Sequence, residues 1–311
     1  MGRVVVALGG NALLKRGEEM TAGNQRRNAQ IAARALAPLC EAHETVITHG
    51  NGPQVGDELY RMELTYSDIP PLPLGVCVAG TQGSIGYMLQ QSLQNALKEH
   101  QIEREVVTLI TQTIVDADDP SIKNPTKFIG QRYTKAEAEN MAQNFGWIIR
   151  EQNEGEWRQV VPSPLPQYIE HGKSIQTLVD HGIIVIASGG GGIPAYWNKN
   201  GNLEGLDAVV DKDLSAALLG RVIKASELWI ITDVDSVSIN YGSTNEKTIH
   251  EMTTDEASAY HAEGHFQSGT MGPKIEAALY FLKYHGDKVV ITSIDGIAEA
   301  IEGKNGTLIR N

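Results

Sequence analysis

Cysteine is scarce in this 311-residue chain: Cys40 and Cys77 stand alone, and neither belongs to a Cys-x-x-Cys or Cys/His pattern. Two such residues cannot form a disulfide framework, and they do not indicate a structural zinc site. The chain also lacks a run of the roughly 18 apolar residues that a membrane-spanning helix needs, and its N-terminus lacks the layout of a signal peptide. These absences predict a cytoplasmic protein with no membrane partner and no structural metal site.

Basic residues are in the minority, since 26 Lys and Arg stand against 38 Asp and Glu, for a formal net charge of −12. Nucleic-acid binding depends on basic surfaces that neutralise phosphates, so we expect no nucleic-acid partner. If the ligand is a small anion, the positive potential must come from particular lysines and backbone amides. The remaining composition, 41% hydrophobic and 21% charged, is typical of a globular protein.

Two common nucleotide-binding motifs are also absent. The glycine-containing stretch that ends at Gly56 is followed by Asp57, so the lysine of a P-loop is missing. No Gly-x-Gly-x-x-Gly follows the first predicted strand. The sequence therefore disfavours both a P-loop nucleoside triphosphatase and a Rossmann dehydrogenase.

Apolar runs alternate with helical spacing along most of the chain. The predicted strands are 4–8, 44–48, 106–111, 183–187, 228–232 and 289–292, and the predicted helices are 25–43, 85–96, 174–181, 211–222 and 275–282. This alternation predicts an α/β fold, a three-layer αβα sandwich around a mostly parallel sheet. Residues from about 112 to 166 interrupt it and predict a small protruding subdomain, while Asn200-Gly201 predicts the turn of a hairpin within 196–210.

Glycines or short polar residues follow four of the predicted strands, at Gly9-Gly10, Gly50 to Gly52, Gly189 to Gly192 and Thr232-Asp233. Ligands of parallel sheets bind beyond the carboxyl ends of the strands. One glycine pair is usually a tight turn, but three clusters at one edge allow backbone N–H groups to approach a phosphoryl group. The pattern favours a site that handles phosphate.

Three lysines lie among glycine, proline and aspartate rather than on amphipathic faces: Lys127, Lys212 and Lys274. Lys274 opens a predicted helix, where a cation is disfavoured by the helix dipole, and Lys212 stands between Asp211 and Asp213. A cation placed against the local dipole indicates an anionic partner beyond the end of the helix.

Several long motifs together resemble carbamate kinases, which belong to the amino acid kinase superfamily. They are Ala7 to Leu13 (ALGGNAL), Thr48 to Gly56 (THGNGPQVG), Thr81 to Tyr87 (TQGSIGY), Val160 to Pro164 (VVPSP), Gly189 to Pro194 and Asp211-Lys212-Asp213. The resemblance covers nearly the whole chain and implies an acetylglutamate/carbamate kinase-like fold. It implies reversible phosphoryl transfer between ATP and carbamate, giving carbamoyl phosphate and ADP, with Mg²⁺ as cofactor, a homodimer, and ATP formation in arginine breakdown.

The resemblance also implies roles for particular residues. Gly9, Gly10, Asn11, Gly50, Asn51 and Gly52 match the loops that hold the carbamoyl and transferred phosphoryl groups, Lys212 and Lys274 match phosphate-binding lysines, Asp213 matches the aspartate that orients them, and Tyr241 and Met271 fall in segments that hold the adenosine. By the same resemblance, residues 1–205 would form the acceptor-substrate lobe, with a lid at about 112–166, and residues 206–311 the nucleotide-binding lobe.

Lys127 matches a lysine that carbamate kinases carry on the lid. Acetylglutamate-kinase-like relatives instead have a catalytic lysine two residues before the first glycine pair, where this chain has Ala7. The resemblance therefore assigns a catalytic role to Lys127. The chain departs from the family pattern at Gly75, Gly80, Phe128, Gln131-Arg132-Tyr133 and Gln159.

Two alternatives stay open: another kinase of the superfamily with a different acceptor, and a sensor that binds nucleotide without turnover. His49 is a candidate base, but transfer to an oxygen that is already anionic removes no proton, which favours a structural role. Asp233 and Asp235 are candidate magnesium ligands, although an aspartate after a strand more often caps a turn.

Overall fold

The structure is a computed structural model that describes residues 1–10, 13–15, 17–266, 271–284 and 286–311. In chain order the strands are β1 (Gly2–Leu8), β2 (His43–His49), β3 (Val106–Thr108), β4 (Gln112–Val115), β5 (Lys127–Tyr133), β6 (Ile148–Asn153), β7 (Glu156–Val161), β8 (Pro166–Ile169), β9 (Ile184–Ile186), β10 (Ile193–Trp197), β11 (Leu203–Gly205), β12 (Glu227–Thr232), β13 (Val237–Ile239), β14 (Lys247–Ile249), β15 (Glu251–Thr253), β16 (Lys288–Ser293) and β17 (Thr307–Arg310). The helices are α1 (Ala22–Ala42), α2 (Gly52–Thr65), α3 (Leu74–Glu99), α4 (Pro120–Lys123), α5 (Lys135–Phe145), α6 (Gly172–Asp180), α7 (Lys212–Ile223), α8 (Thr254–Ala262), α9 (Gly272–Tyr284) and α10 (Ile297–Ile301).

The central sheet has eight strands in the order β15-β17-β16-β12-β1-β2-β9-β3. Neighbouring strands are parallel throughout, except that β16 and β17 are antiparallel. Because β1 lies between β2 and β12, the chain before and after residue 205 contributes to one sheet. The predicted α/β fold with a mostly parallel sheet is confirmed.

Helices cover both faces of this sheet, as the pattern of β1 shows. Val4, Val6 and Leu8 belong to one hydrophobic cluster with residues of α1 and α3. Val5 and Ala7 belong to another, with residues of α6, α7 and α9. Successive side chains of a strand point to opposite faces, so a strand that is apolar at every position needs a helical layer on each side. This explains the three layers.

Three smaller sheets accompany the central one in the described part of the chain, and the smallest is the antiparallel pair β13-β14. A four-stranded sheet has the order β11-β10-β4-β8, and its β10–β11 hairpin turns at Gly201, as the sequence predicted. The lid, defined here as β5 to β7 with α5, is a three-stranded antiparallel sheet and one helix. The helix α5 begins with a capping box between Thr134 and Glu137 and ends at Gly146 in the left-handed conformation.

The sequence did not predict α2 or the first part of α3. Both segments contain glycine or proline, which are typical of loops. Pro53 lies in the first turn of α2, where its missing N–H costs no hydrogen bond, and α3 contains Gly75, Gly80 and Gly86. A Cβ on Gly86 would lie 2.2 Å from Cγ2 of Thr108, so close packing on β3 explains that glycine. In the described part of the chain, no helix combines the length and apolarity needed to cross a bilayer.

Candidate active site

The first two glycine turns meet at the carboxyl ends of β1 and β2. Gly9 N–H donates to the carbonyl oxygen of Ile231 on β12 at 2.8 Å, and Gly50 N–H donates to that of Leu8 at 2.9 Å. A Cβ on Gly50 would lie 2.9 Å from the backbone nitrogen of Gly10. The backbones approach so closely that no side chain fits between them, which leaves an edge of bare peptide where the sequence predicted one.

A cavity of about 390 Å³ opens beside this edge. Its lining comes from both halves of the chain: Gly9, Gly10, Pro53, Lys212, Thr232, Asp233, Val234, Ser236, Ser238, Tyr241, His265, Phe266, Met271 and Lys274. Six residues predicted to hold phosphate or adenosine thus lie around one space.

Asp213 joins two of the predicted lysines in this cavity. One of its carboxylate oxygens pairs with Nζ of Lys212, and the other lies 3.3 Å from Nζ of Lys274. The Asp213 side chain is only 4% exposed, and those of Lys212 and Lys274 are 16% and 15% exposed. Burial alone would raise the pKa of Asp213, but the two lysine charges outweigh it and hold that pKa below its ordinary value. One buried carboxylate therefore fixes two ammonium groups at the cavity wall.

The start of α7 places these groups. Asp211 is the N-cap, and its side chain accepts hydrogen bonds from the backbone N–H of Asp213 at 2.9 Å and of Leu214 at 3.4 Å. Lys212 and Asp213 are the first two helical residues, so the cap fixes the turn that carries them.

Lys127 approaches from the lid, at the beginning of β5. Its Nζ lies 3.6 Å from Oδ2 of Asp211, and its side chain is 39% exposed. Asp211 and Asp213 are two residues apart, so the lid lysine and the two cavity lysines converge on the first turn of α7. Lys127 does not line the cavity in its present position.

The third glycine cluster packs beneath the site and does not line the cavity. A Cβ on Gly189 would lie 2.4 Å from Nε2 of His49, and one on Gly190 would lie 2.4 Å from Cγ of Asn51. Gly190 to Gly192 also have φ values between +66° and +91°, where side chains are strained. These glycines therefore make room for the side chains of His49 and Asn51, while the expectation that their backbone approaches a phosphoryl group stays a prediction.

The predicted substrate residues around α2 are placed as follows. Asn51 is the N-cap of α2, and its side-chain amide donates to Oγ1 of Thr81 at 2.9 Å, which fixes its orientation. Gly52 is the first helical residue, and a Cβ on Gly10 would lie 3.8 Å from Cδ of Pro53. The N-terminus of α2, a favourable place for an anion, thus adjoins the Gly10 turn. Asn11 lies outside the described residues.

His49 is buried beside the second glycine turn, and its contacts favour a structural role over that of a general base. Its Nδ1 lies 3.0 Å from the carbonyl oxygen of Gly50, which is the geometry of a neutral ring that donates this bond. Burial, together with the charge of Lys212, lowers the pKa of His49 to about 4, although the bond to Gly50 opposes the shift. The ring is therefore a structural donor that holds the second glycine turn.

Several residues of the site were not singled out by sequence reasoning. Asp211 was interpreted only as a helix cap and as an acid beside Lys212, but in the structure it also pairs with Lys127. Its position next to Lys212 was the one sequence signal that could have indicated a role in the site. Ser236, His265 and Phe266 line the cavity from irregular segments and Ser238 from the three-residue strand β13, and no periodic pattern indicates them. Segments of this kind are placed by tertiary packing, which single-sequence patterns do not record.

The carboxylates at the cavity suit a metal ion that is shared with a ligand better than one held by the protein alone. Asp233 lines the cavity and accepts a hydrogen bond from Oγ1 of Thr232 at 3.1 Å, and Asp235 accepts one from Oγ of Ser293. Within the described ranges no group of three or more His, Cys, Asp and Glu side chains could hold a metal ion. Mg²⁺ is commonly bound by one or two carboxylates plus substrate phosphates, so this donor set fits Mg²⁺ delivered with a nucleotide.

Comparison with known proteins agrees with this geometry. The sequence profile of the Amino acid kinase family matches residues 2–293. The carbamate kinase of Pyrococcus horikoshii is 45% identical over 310 residues, covering 99% of this chain and 98% of that protein, and that of Haemophilus influenzae is 46% identical over 307 residues, covering 99% and 96%. The solved structure of carbamate kinase from Giardia lamblia bound to AMP-PNP is 41% identical, covers 99% and 98% of the two chains, and superposes with a TM-score of 0.92. The chain belongs to the amino acid kinase family and, within it, to the carbamate kinases.

Proposed function

We propose that this protein transfers a phosphoryl group reversibly between ATP and carbamate, giving carbamoyl phosphate and ADP. The observation that carries the proposal is the pair of largely shielded ammonium groups, Lys212 and Lys274, held by the buried carboxylate of Asp213 beside the bare backbone of Gly9 and Gly10. The family membership supports carbamate as the acceptor, because full-length relatives at 43–46% identity are carbamate kinases.

Phosphoryl transfer suits such a site because little covalent chemistry is asked of the protein. Charge spreads over the transferred group in a loose transition state, so positioning and electrostatic stabilisation dominate the rate. Lys212 and Lys274 would neutralise the phosphates, Asp213 would hold both lysines, and Lys127 would steady the transferred group from the lid. Gly9, Gly10, Asn11, Gly50, Asn51 and Gly52 would bind the carbamoyl and phosphoryl groups.

The two halves of the chain would divide the substrates between them. We propose that residues 1–205 bind the acceptor, with a subdomain at about 112–166 that contains the lid, and that residues 206–311 bind the nucleotide. Support comes from Tyr241 and Met271, which belong to the second half of the chain and line the same cavity as Gly10. They supply an aromatic ring and a thioether for an adenine base.

Mg²⁺ is part of the proposal as an ion carried by the nucleotide. Asp233 is the cavity carboxylate that would share it with phosphate oxygens. The ion would add positive charge to the phosphates, while the lysines of this chain remain responsible for orienting them.

We further propose a cytoplasmic homodimer that works in the ATP-forming direction during arginine breakdown. The outer edge of the central sheet supports a dimer, because Tyr87 on α3 and Ile110 after the edge strand β3 expose apolar surface side by side around a shallow groove. Light scattering on the purified protein measures the oligomeric state directly.

The deciding experiment supplies carbamoyl phosphate, ADP and Mg²⁺ and measures ATP. A kinase for another acceptor forms no ATP from carbamoyl phosphate, and a sensor binds ADP without turnover. In the same assay we expect Lys127→Ala to lower kcat by on the order of 10²–10³-fold. Lys135→Ala, in the same lid, is the matched control and should keep its activity, because the Lys135 side chain is 65% exposed and contacts Glu139 and the ring of Trp157 at the lid surface. Wild-type kcat in Lys127→Ala would refute the role of the lid lysine.

A further inference from the structure

A partly buried hydrogen bond ties the lid strand to helix α2. The hydroxyl of Tyr133, the last residue of β5, donates to Oε2 of Glu63 on α2 at 2.5 Å. Glu63 is only 7% exposed, although glutamate is rarely buried without a partner. Lys127 is the first residue of the same strand. One end of β5 therefore carries the lid lysine, and the other end is anchored.

The charges around this bond leave the Tyr133 hydroxyl as its donor. Burial, the hydrogen bond to Glu63 and the charge of Glu63 raise the pKa of Tyr133 well above its ordinary value, so the phenol stays protonated. Burial also raises the pKa of Glu63, while the bond from Tyr133 opposes that rise. Oε1 of Glu63 is buried and has no hydrogen-bond partner among the described residues, which leaves the Tyr133 hydroxyl as the group that satisfies this carboxyl.

The strand between the two ends is not a regular ribbon. Ile129 pairs with Gln159 and Tyr133 pairs with Trp157, so the intervening residues of β5 outnumber those of β7 and form a bulge. Gly130 in the bulge has φ +68°, and its carbonyl oxygen accepts a hydrogen bond from Nη2 of Arg158 at 2.9 Å. Because a bulge permits the strand to shift, the position of Lys127 depends on what anchors the strand beyond it.

Helix α2 connects that anchor to the reaction centre. It begins at Gly52 in the second glycine turn, and Glu63 lies in its last turn. The strand packs along the helix, since a Cβ on Gly130 would lie 3.8 Å from Cδ1 of Leu59. The aromatic rings of Tyr66 and Phe145 meet edge to face at 5.0 Å and extend the contact between α2 and the lid. The substrate turn and the lid strand thus share one rigid support.

We propose that the Tyr133–Glu63 bond is a latch that sets the position of Lys127, so that both are positioning residues for phosphoryl transfer. The latch acts through the strand and does not touch substrate. The proposal rests on the function and on the Lys127 role proposed above.

The test is a double-mutant cycle in the ATP-forming assay. Tyr133→Phe removes the hydroxyl and keeps the ring against Trp147, and we expect kcat to fall about 10-fold with the KM for ADP unchanged, because a small misplacement of a catalytic group is costly. Combining it with Lys127→Ala should cause no further loss beyond Lys127→Ala alone. Glu63→Gln keeps an oxygen acceptor for the phenol and should retain most of the wild-type kcat.

Tyr196→Phe is the matched control, because Tyr196 also donates to a glutamate, Glu204, at 2.7 Å, but on the exposed β10–β11 hairpin. It should keep wild-type kcat. Wild-type kcat in Tyr133→Phe, or losses that multiply fully in the double variant, would overturn the latch while leaving the proposed function standing. Absence of ATP from the wild-type protein would instead remove the proposed function and the latch with it.

Discussion

The body of the site and its lid hold their lysines in different ways. In the body, Lys212 and Lys274 share Asp213, and all three side chains are largely shielded from water. In the lid, Lys127 is 39% exposed and meets Asp211 at 3.6 Å. The surroundings differ as well, since β1 is buried on both faces whereas β6 of the lid is mostly exposed.

This difference separates two tasks that phosphoryl transfer imposes. Charges that must neutralise phosphates in every step are best fixed before the ligand arrives, and a shared buried carboxylate fixes them at the cost of desolvation. A charge that must reach the transferred group is better held by a weak, solvated pair that it can leave, because such pairs contribute little. Breaking each pair in turn tests whether the two regions divide the work in this way.

The largest effect is expected from Asp213→Asn, which removes the carboxylate and leaves two buried ammonium groups facing each other. Breaking a buried ion pair typically costs about 3 kcal/mol or more of unfolding free energy, and we expect kcat to fall on the order of 10²–10³-fold as well. Urea unfolding and the ATP-forming assay measure the two losses. Asp180→Asn is the control, because it makes the same change in the half-exposed Arg3–Asp180 pair, where less than about 1 kcal/mol is at stake. A wild-type free energy of unfolding in Asp213→Asn would show that the lysines of the body are held no more firmly than the lid lysine.

A smaller effect is expected from lowering the pH, which should reduce the free energy of unfolding. We expect this loss to come from His49, which is buried in the body of the site. Because the pKa of His49 is lowered to about 4 in the folded protein, the unfolded state binds a proton first as the pH falls below the usual histidine range. Its contribution to stability is therefore full above about pH 6.5 and is lost progressively towards pH 4, by about 3 kcal/mol in total.

His49→Asn tests this origin, since its amide retains a donor for the carbonyl oxygen of Gly50 but does not titrate. We expect the slope of unfolding free energy against pH, between pH 6.5 and 4.5, to be shallower in this variant than in the wild type. His181→Asn makes the same replacement at a surface histidine whose Nδ1 also lies near a carbonyl oxygen, that of Thr177. An unaltered slope in His49→Asn would place the acid sensitivity elsewhere.

The same contrast explains how far the sequence could be interpreted. Strand β1 was predictable because its apolar run is enforced by helices on both faces, and Asp211 was predictable as a cap because capping is local. The beginning of α3 was not, because Gly75, Gly80 and Gly83 look like loop residues in the sequence, and a Cβ on Gly75 would lie 3.3 Å from Cγ2 of Ile193, a residue far along the chain. Long-range packing decides such segments, and it leaves no periodic trace.

The site was predictable to a similar degree. Motifs indicated Lys212, Asp213 and Lys274, and the structure brings them together. For the third glycine cluster, the sequence indicated a phosphate loop and did not show that His49 and Asn51 pack against these glycines. Whether a glycine serves a ligand or a packed side chain depends on residues far along the chain, here His49 and Asn51. The Tyr133–Glu63 bond joins residues 70 positions apart and had no counterpart in any local pattern.

The smallest effect is expected from Asp211→Asn, which sharpens the comparison from the lid side. The asparagine oxygen can still cap α7, so the turn that carries Lys212 and Asp213 should stay in place and unfolding free energy should change by less than about 0.5 kcal/mol. Only the charge that meets Lys127 is lost, and a half-exposed pair is worth at most about 1 kcal/mol, so kcat should change less than about threefold. Urea unfolding and steady-state kinetics measure both. A loss as large as that of Asp213→Asn would mean that Lys127 is held as firmly as the body lysines, and the two regions would then work as one preorganised site.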